Sequence, residues 1–197
     1  TCKRKRVSSY DRTGGNRDFV TIPKDTMLRL ADISGAGCIR HVWITIRCAD
    51  FWYLRKILLR MYWDHESEPS LEVPIGDFFG IGHGMSKSFS SAPLQMAPRD
   101  GRALNCWWPM PFGDGARIEV ENQCDVQVDS FYYYVDYEEY GELQQGLGRF
   151  HATWNRENPT DGVPDTGMSN NEWLSGGSNL DGTGNYVILE AEGRGHY

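Results

Sequence analysis

"CIRHVWITIRC", residues 38–48, decides the fold class. Val42, Ile44, Ile46 and Cys48 fall on one face of an extended chain, and Trp43, Thr45 and Arg47 fall on the other. A period of two marks a β-strand half-buried against a core. The same alternation recurs along the chain. "RKILLRMYWD" (55–64) aligns Ile57, Leu59, Met61 and Trp63, and "ARIEVENQ" (116–123) sets Ile118 and Val120 against charged neighbours. "VDSFYYYVDY" (128–137) alternates throughout, and "NYVILEAEG" (185–193) predicts a closing strand with Val187, Leu189 and Ala191 aligned. "FVTIP" (19–23) and "TMLRLADI" (26–33) add shorter strands. Gly/Pro/Asn/Asp-rich connections such as "GAG" (35–37) and "FGDGAR" (112–117) separate them, and helical periodicity is nearly absent. The pattern predicts an all-β sandwich, barrel or jelly roll.

The bulk numbers narrow the class. A chain of 197 residues with 40% hydrophobic content has room for one domain with a real core. No apolar run approaches the roughly 18 residues of a membrane-spanning helix. A net charge of −7 argues against a dedicated nucleic-acid binder. The exception is Lys3-Arg4-Lys5-Arg6, which has the look of a nuclear-localisation or polyanion patch but is expected to be a solvated N-terminal tail. Five cysteines form no CxxC and no Cys/His cluster, so no zinc site is expected, and no metal-ligating residue is assigned. Cys38 and Cys48 flank one extended segment, far beyond disulfide reach. Aromatic residues make up 13% of the chain, which suits strands, cores and stacking on sugar rings.

Candidate chemistry is sparse. Glu119 and Glu121 lie two apart on a predicted strand, as do Glu190 and Glu192. Such neighbours sit about 7 Å apart on one face, between the carboxylate separations of retaining and inverting glycosidases. The simpler reading, and the one adopted, is the solvent-facing side of an antiparallel strand. "HESEPSLE" (65–72) reads as a charged turn. His151 in "FHATW" (150–154) is either a satisfied structural histidine or a substrate contact. Asp77 in "PIGDFFG" (74–80) is either a turn cap or a ligand contact. In "SSYDRTGGNRDF" (8–19) the glycines free the backbone to turn tightly, while Tyr10, Asp11, Arg12 and Asp18 need another explanation. No nucleotide, hydrolase or metalloprotease motif occurs, and no cofactor is implied.

Taken in order, "SSYDRTGGNRDF", "GCIRHVWITI", "LRKILLRMYWD", "PSLEVPIGDFFGIGHG", "FSSAPLQM", "LNCWWPMPF", "ARIEVENQ", "FYYYVDY" and "GRFHATWNRENP" resemble glycoside hydrolase family 172. The resemblance implies a double jelly roll of which this chain is the N-terminal half, an antiparallel jelly-roll sandwich. It further implies homo-oligomers built on trimers, and retaining hydrolysis or transfer at furanosides, including fructofuranosides and arabinofuranosides. Residues 1–7 would be the basic tail and 8–197 the jelly-roll domain, with a long loop insertion at about 138–184.

In that family the catalytic glutamates lie further along, in a Trp/Gly/Glu/Asp-rich segment and a later "GTGTEDY"-like one. "DGTGNY" (181–186) has Asn185 where the glutamate should stand and falls too early. No catalytic residue is therefore assigned in this chain, and Glu190 and Glu192 take no such role. On its own the chain is expected to be silent. The resemblance also assigns a carbohydrate pocket: Asp11, Asn16, Asp18 and His151 as polar contacts, Phe150 and Trp154 as walls, and Asp77 beside them. The structural alternative is that Asp11 and Asp18 brace the Gly-Gly turn. Two further readings stay open for the whole chain, a jelly roll that assembles into a shell or filament, and a non-catalytic carbohydrate-binding module.

Overall fold

The computed structural model describes residues 2–159, 167–176 and 181–197. The chain divides into two units, 1–154 and 155–197. The first unit opens with β1 (Lys3–Ser8), β2 (Val20–Ile22), β3 (Thr26–Ser34), β4 (Gly37–Cys48) and a helical turn, α1 (Tyr53–Lys56). Then come β5 (Ile57–Trp63), β6 (Leu71–Pro74) and a second helical turn, α2 (Ile75–Phe78). β7 (Phe89–Ser90), β8 (Leu94–Met96), β9 (Ala103–Cys106) and β10 (Met110–Phe112) follow. β11 (Gly115–Asn122), β12 (Val128–Glu139) and β13 (Ala152–Thr153) complete it.

Two sheets result. The eight-stranded sheet runs β1-β12-β4-β9-β8-β7, with β10 also on β4 and β2 also on β12. The five-stranded sheet runs β13-β6-β5-β11-β3. Only the β13–β6 pairing is parallel among the described residues. Ile39, Val42, Ile44, Phe131 and Val135 of the first sheet belong to the same core as Leu59, Met61, Trp63, Ile118 and Val120 of the second. Each such burial contributes about 1.5–3 kcal/mol. The chain is an all-β sandwich, as the alternation predicts.

The basic tetrad is not a tail. Lys3 to Ser8 form β1 on the edge of β12, with Lys3 opposite Glu139, Arg4 opposite Glu138 and Arg6 opposite Asp136. Ion pairs join Lys5 to Glu139, Arg4 to Glu138 and Arg6 to Asp136. Exposed pairs of this kind stabilise little individually, but Val7 adds packing against the core. The correction has a plain cause: the acids that answer "KRKR" lie some 130 residues away in the chain.

Glu119 departs from the solvent-facing expectation. It is 3% exposed, with the guanidinium Nε of Arg29 and of Arg117 at 3.3 and 3.4 Å. Arg117 stacks over Tyr62 at 3.8 Å and helps to cover it. Glu121 pairs with Arg60 at 2.6 Å, and this bond holds its carboxyl below the ordinary value. The pair is spent on arginines rather than poised for proton transfer.

The second unit carries α3 (Asn170–Gly176). Ser169 and Glu172 cap it reciprocally: the Glu172 carboxylate accepts from the Ser169 N–H, and the Ser169 hydroxyl accepts from the Glu172 N–H. The strand predicted over 185–193 does not form, and Val187, Ile188 and Leu189 are exposed. Alternation alone makes no strand where no neighbour supplies a ladder. Glu190 and Glu192 are accordingly exposed in irregular chain. The predicted insertion at about 138–184 begins inside β12, which runs to Glu139. It also includes 160–166 and 177–180, outside the described residues.

The five cysteines are free thiols. No helix among the described residues is long and apolar enough to cross a membrane. Among the described residues no group of three His, Cys, Asp or Glu is placed to hold a metal ion.

Candidate functional site

The sequence-predicted site residues separate into two groups. Asp11, Asn16 and Asp18 occupy the loop that leaves β1, on the eight-stranded sheet. One Asp11 oxygen accepts from the Thr13 N–H (2.9 Å) and hydroxyl (2.7 Å), and the other accepts from the Arg17 N–H (3.2 Å). Asp18 accepts from the Asp11 N–H at 2.7 Å. The bonds from Thr13 and Arg17 hold the Asp11 carboxyl below its ordinary value. Gly14 sits at φ +81°, and a Cβ on Gly15 would lie 2.6 Å from an Asp11 oxygen. Here the carboxylates shape the loop, which explains why two glycines stand between them. Asn16 is exposed on the same loop.

The second group gathers where α1 and α2 meet. Leu54 is fully buried, and a Cβ on Gly76 would come within 2.9 Å of it, so only glycine permits the two helical turns to approach this closely. That approach sets Arg55 beside Asp77. One guanidinium nitrogen donates to both carboxylate oxygens, at 3.1 and 3.0 Å, and another donates to the Gly82 carbonyl. The Arg55 guanidinium also lies 5.4 Å from the Trp154 ring centre. Burial pushes the Asp77 carboxyl above its ordinary value, against the opposing pull of Arg55 and of a hydrogen bond from Trp154. Gly84 crosses Arg55 closely, with the Trp52 ring alongside. Trp52 and Trp154 are both nearly half exposed. The result is a carboxylate paired with a guanidinium, the Trp154 indole against the guanidinium and the Trp52 ring beside Gly84, and Asp77 serves as an ion-pair partner.

Phe150 packs against the core, its carbonyl accepting from the Trp63 indole at 2.7 Å and its ring 6.1 Å from that of Trp108. His151 is exposed, one residue before β13. Among the described residues no hydrogen bond, ion pair or ring contact joins this group to the loop after β1. Sequence reasoning missed Arg55 and Trp52. Both stand in "DFWYLRK" (50–56), where nothing local announces a partner 22 residues on.

Asp64 ties the segment that leads into Phe150 to the turn before β11. One of its oxygens accepts from the N–H groups of Gly113 (2.7 Å) and Asp114 (2.8 Å), and the other pairs with Arg149 at 2.6 Å. Burial opposes the charge, yet the Asp114 N–H, Arg149 and the Gly113 N–H together hold the carboxyl below its ordinary value. Asp64 stands at φ +54°, which asparagine also tolerates, so Asp64→Asn tests the charge without adding strain. The variant is expected to lose about 1.5–3 kcal/mol at neutral pH, the range for hydrogen bonds to a charged group. Because the folded carboxyl titrates below the unfolded one, the wild-type advantage is full above the unfolded value near 4. It disappears as pH falls through the lower, folded value. Urea unfolding of both proteins across pH 2–7 reads the convergence.

A family model described as GH172 first beta-sandwich domain matches residues 1–158. The chain belongs to the GH172 family. No curated protein matches it. The matched span includes both groups of site residues and the whole two-sheet sandwich, so the GH172 domain coincides with the first unit and its immediate continuation.

Proposed function

We propose that this GH172 domain supplies a furanoside-binding surface to a glycoside hydrolase of retaining mechanism whose nucleophile and acid lie outside residues 1–197. The supporting observation is the Asp77–Arg55 pair with the half-exposed Trp154 indole against Arg55 and the half-exposed Trp52 ring beside the neighbouring Gly84. A furanose presents several hydroxyls, and a carboxylate beside a guanidinium offers an acceptor and donors to them at fixed spacing. The indoles cover the apolar C–H face of the ring. Asp11, Asn16, Asp18 and His151 are proposed as outer polar contacts, with Phe150 as a wall. In the same reading the protein works as a trimer or a multiple of it, joined to a second jelly roll.

The test is titration of residues 1–197 with methyl furanosides, followed by tryptophan fluorescence. A saturable change is expected, weakened about three- to tenfold in Trp154→Ala, the size of one lost aromatic contact. Hydrolysis of an aryl furanoside should stay at the buffer rate. Turnover well above it by this chain alone would overturn the assignment of nucleophile and acid elsewhere. Absence of saturable binding, or binding indifferent to Trp154→Ala, would remove the Asp77 surface as the site.

A further inference from the structure

We infer that the outer face of the eight-stranded sheet holds a second ligand site, built from residues other than those around Asp77, for a saccharide unit bearing a carboxylate. Its origin is a bulge. Asp136 pairs with His41 and Tyr137 with Ile39, which leaves Arg40 as the extra residue of β4. Ile39 and Val42 are buried, so the bulge turns both intervening residues, Arg40 and His41, outward.

His41 is then fixed from three sides. Its Nδ1 lies 3.4 Å from Asp136 and its Nε2 3.2 Å from the side-chain oxygen of Asn105, itself 8% exposed. Its ring meets the edge of Tyr134 at 5.5 Å. Trp107 lies flat against this anchored ring, 4.9 Å between centres and 1° between planes. The indole thus has one face backed by a held imidazole while 41% of the residue remains exposed. A platform oriented in advance spares a ligand the ordering of a free side chain.

The charges around this platform set the ligand class. An open cleft of about 750 Å³ is lined by four cations, Arg4, Lys5, Arg6 and Arg40, against two carboxylates, Asp136 and Glu138. Arg6 is committed to Asp136 (2.5 and 2.9 Å) and Arg40 to Glu138 (2.8 Å). Arg4 is only loosely held: its side chain is 88% exposed and lies 3.7 Å from Glu138. A planar guanidinium of this kind suits a carboxylate, and the two acids offer acceptors to sugar hydroxyls. Those same acids lower the local field and disfavour a phosphate dianion, so a uronate fits better than a nucleotide.

Proton–nitrogen NMR of the tryptophan indoles tests the site, with methyl glucuronide, methyl glucoside and AMP as separate probes. Methyl glucuronide is expected to move the Trp107 indole signal saturably and to bind about fivefold tighter than methyl glucoside, the size of one exposed ion pair. Arg4→Ala should erase that preference while leaving the glucoside unchanged. Trp107→Ala should abolish binding of both sugars, and Trp154→Ala should alter neither, which separates this site from the furanoside surface. Equal affinity for glucuronide and glucoside, tighter binding of AMP, or no saturable shift at Trp107 would each overturn the inference.

Discussion

Trp63→Ala is expected to destabilise the first unit by about 3–5 kcal/mol, the range for truncating a large buried aromatic side chain. Trp63 is fully buried at the end of β5, and its indole donates to the Phe150 carbonyl at 2.7 Å. The truncation therefore opens a cavity between the sheets and leaves the Phe150 carbonyl without its donor. Trp63→Phe separates the two effects, since it keeps most of the volume and loses only the bond. Its cost should be about 1–3 kcal/mol, that of one unsatisfied buried group. Denaturant unfolding measures both. A Phe variant as damaged as the Ala variant would show that the hydrogen bond, not the packing, dominates this position.

Asn122→Asp should be worse than Asn122→Ala. Asn122 is fully buried, and its amide nitrogen donates to the carbonyls of Ile22, Pro23 and Val126 at 3.0–3.1 Å. Its oxygen accepts from the Cys124 N–H at 2.9 Å. An ionised carboxylate has no proton to donate, and it would face three carbonyl oxygens while shielded from water. Asn122→Ala is expected to lose about 2–4 kcal/mol, and Asn122→Asp more, from the cost of unpaired buried groups. The sign with pH is diagnostic. Burial, with three carbonyl oxygens facing one carboxyl oxygen and only the Cys124 N–H serving the other, raises the folded carboxyl above its unfolded value, so protonation is favoured in the folded state. The Asp variant should therefore recover stability as pH falls through that raised value, and the Ala variant should not. Equal stability of the two variants at every pH would refute this account of the Asn122 hub.

The sandwich was legible because a two-residue period is written in single side chains. Ile57, Leu59, Met61 and Trp63 were assigned to one face by spacing, and all four are fully buried. Where two consecutive residues turn inward, as Leu30 and Ala31 do at the β3 bulge, a strict alternation rule loses step. The site was less legible because its partners are not neighbours. Asp77 was singled out, but Arg55 reaches it only because Leu54 and Gly76 pack two helical turns together. Likewise "NCWWPMPF" carried Trp107 into the family resemblance, yet its stack on His41 needs β4 and β9 side by side. The "NYVILEAEG" segment has the right alternation and no ladder, which local pattern cannot foresee.

The pairing of β1 with β12 also works as a code for alignment. Slide β1 by two residues in one direction, and Arg4 faces Asp136 while Glu138 faces Cys2 and keeps only Arg40 as a cation. Slide it the other way, and Ser8 faces Asp136 while Val7 leaves its place opposite Val135 and against the core. A slip of one residue would turn Val7 outward and Arg6 inward. The lysines and arginines at the start of the chain thus act as teeth, and Val7 against the core is the stop that selects among their settings.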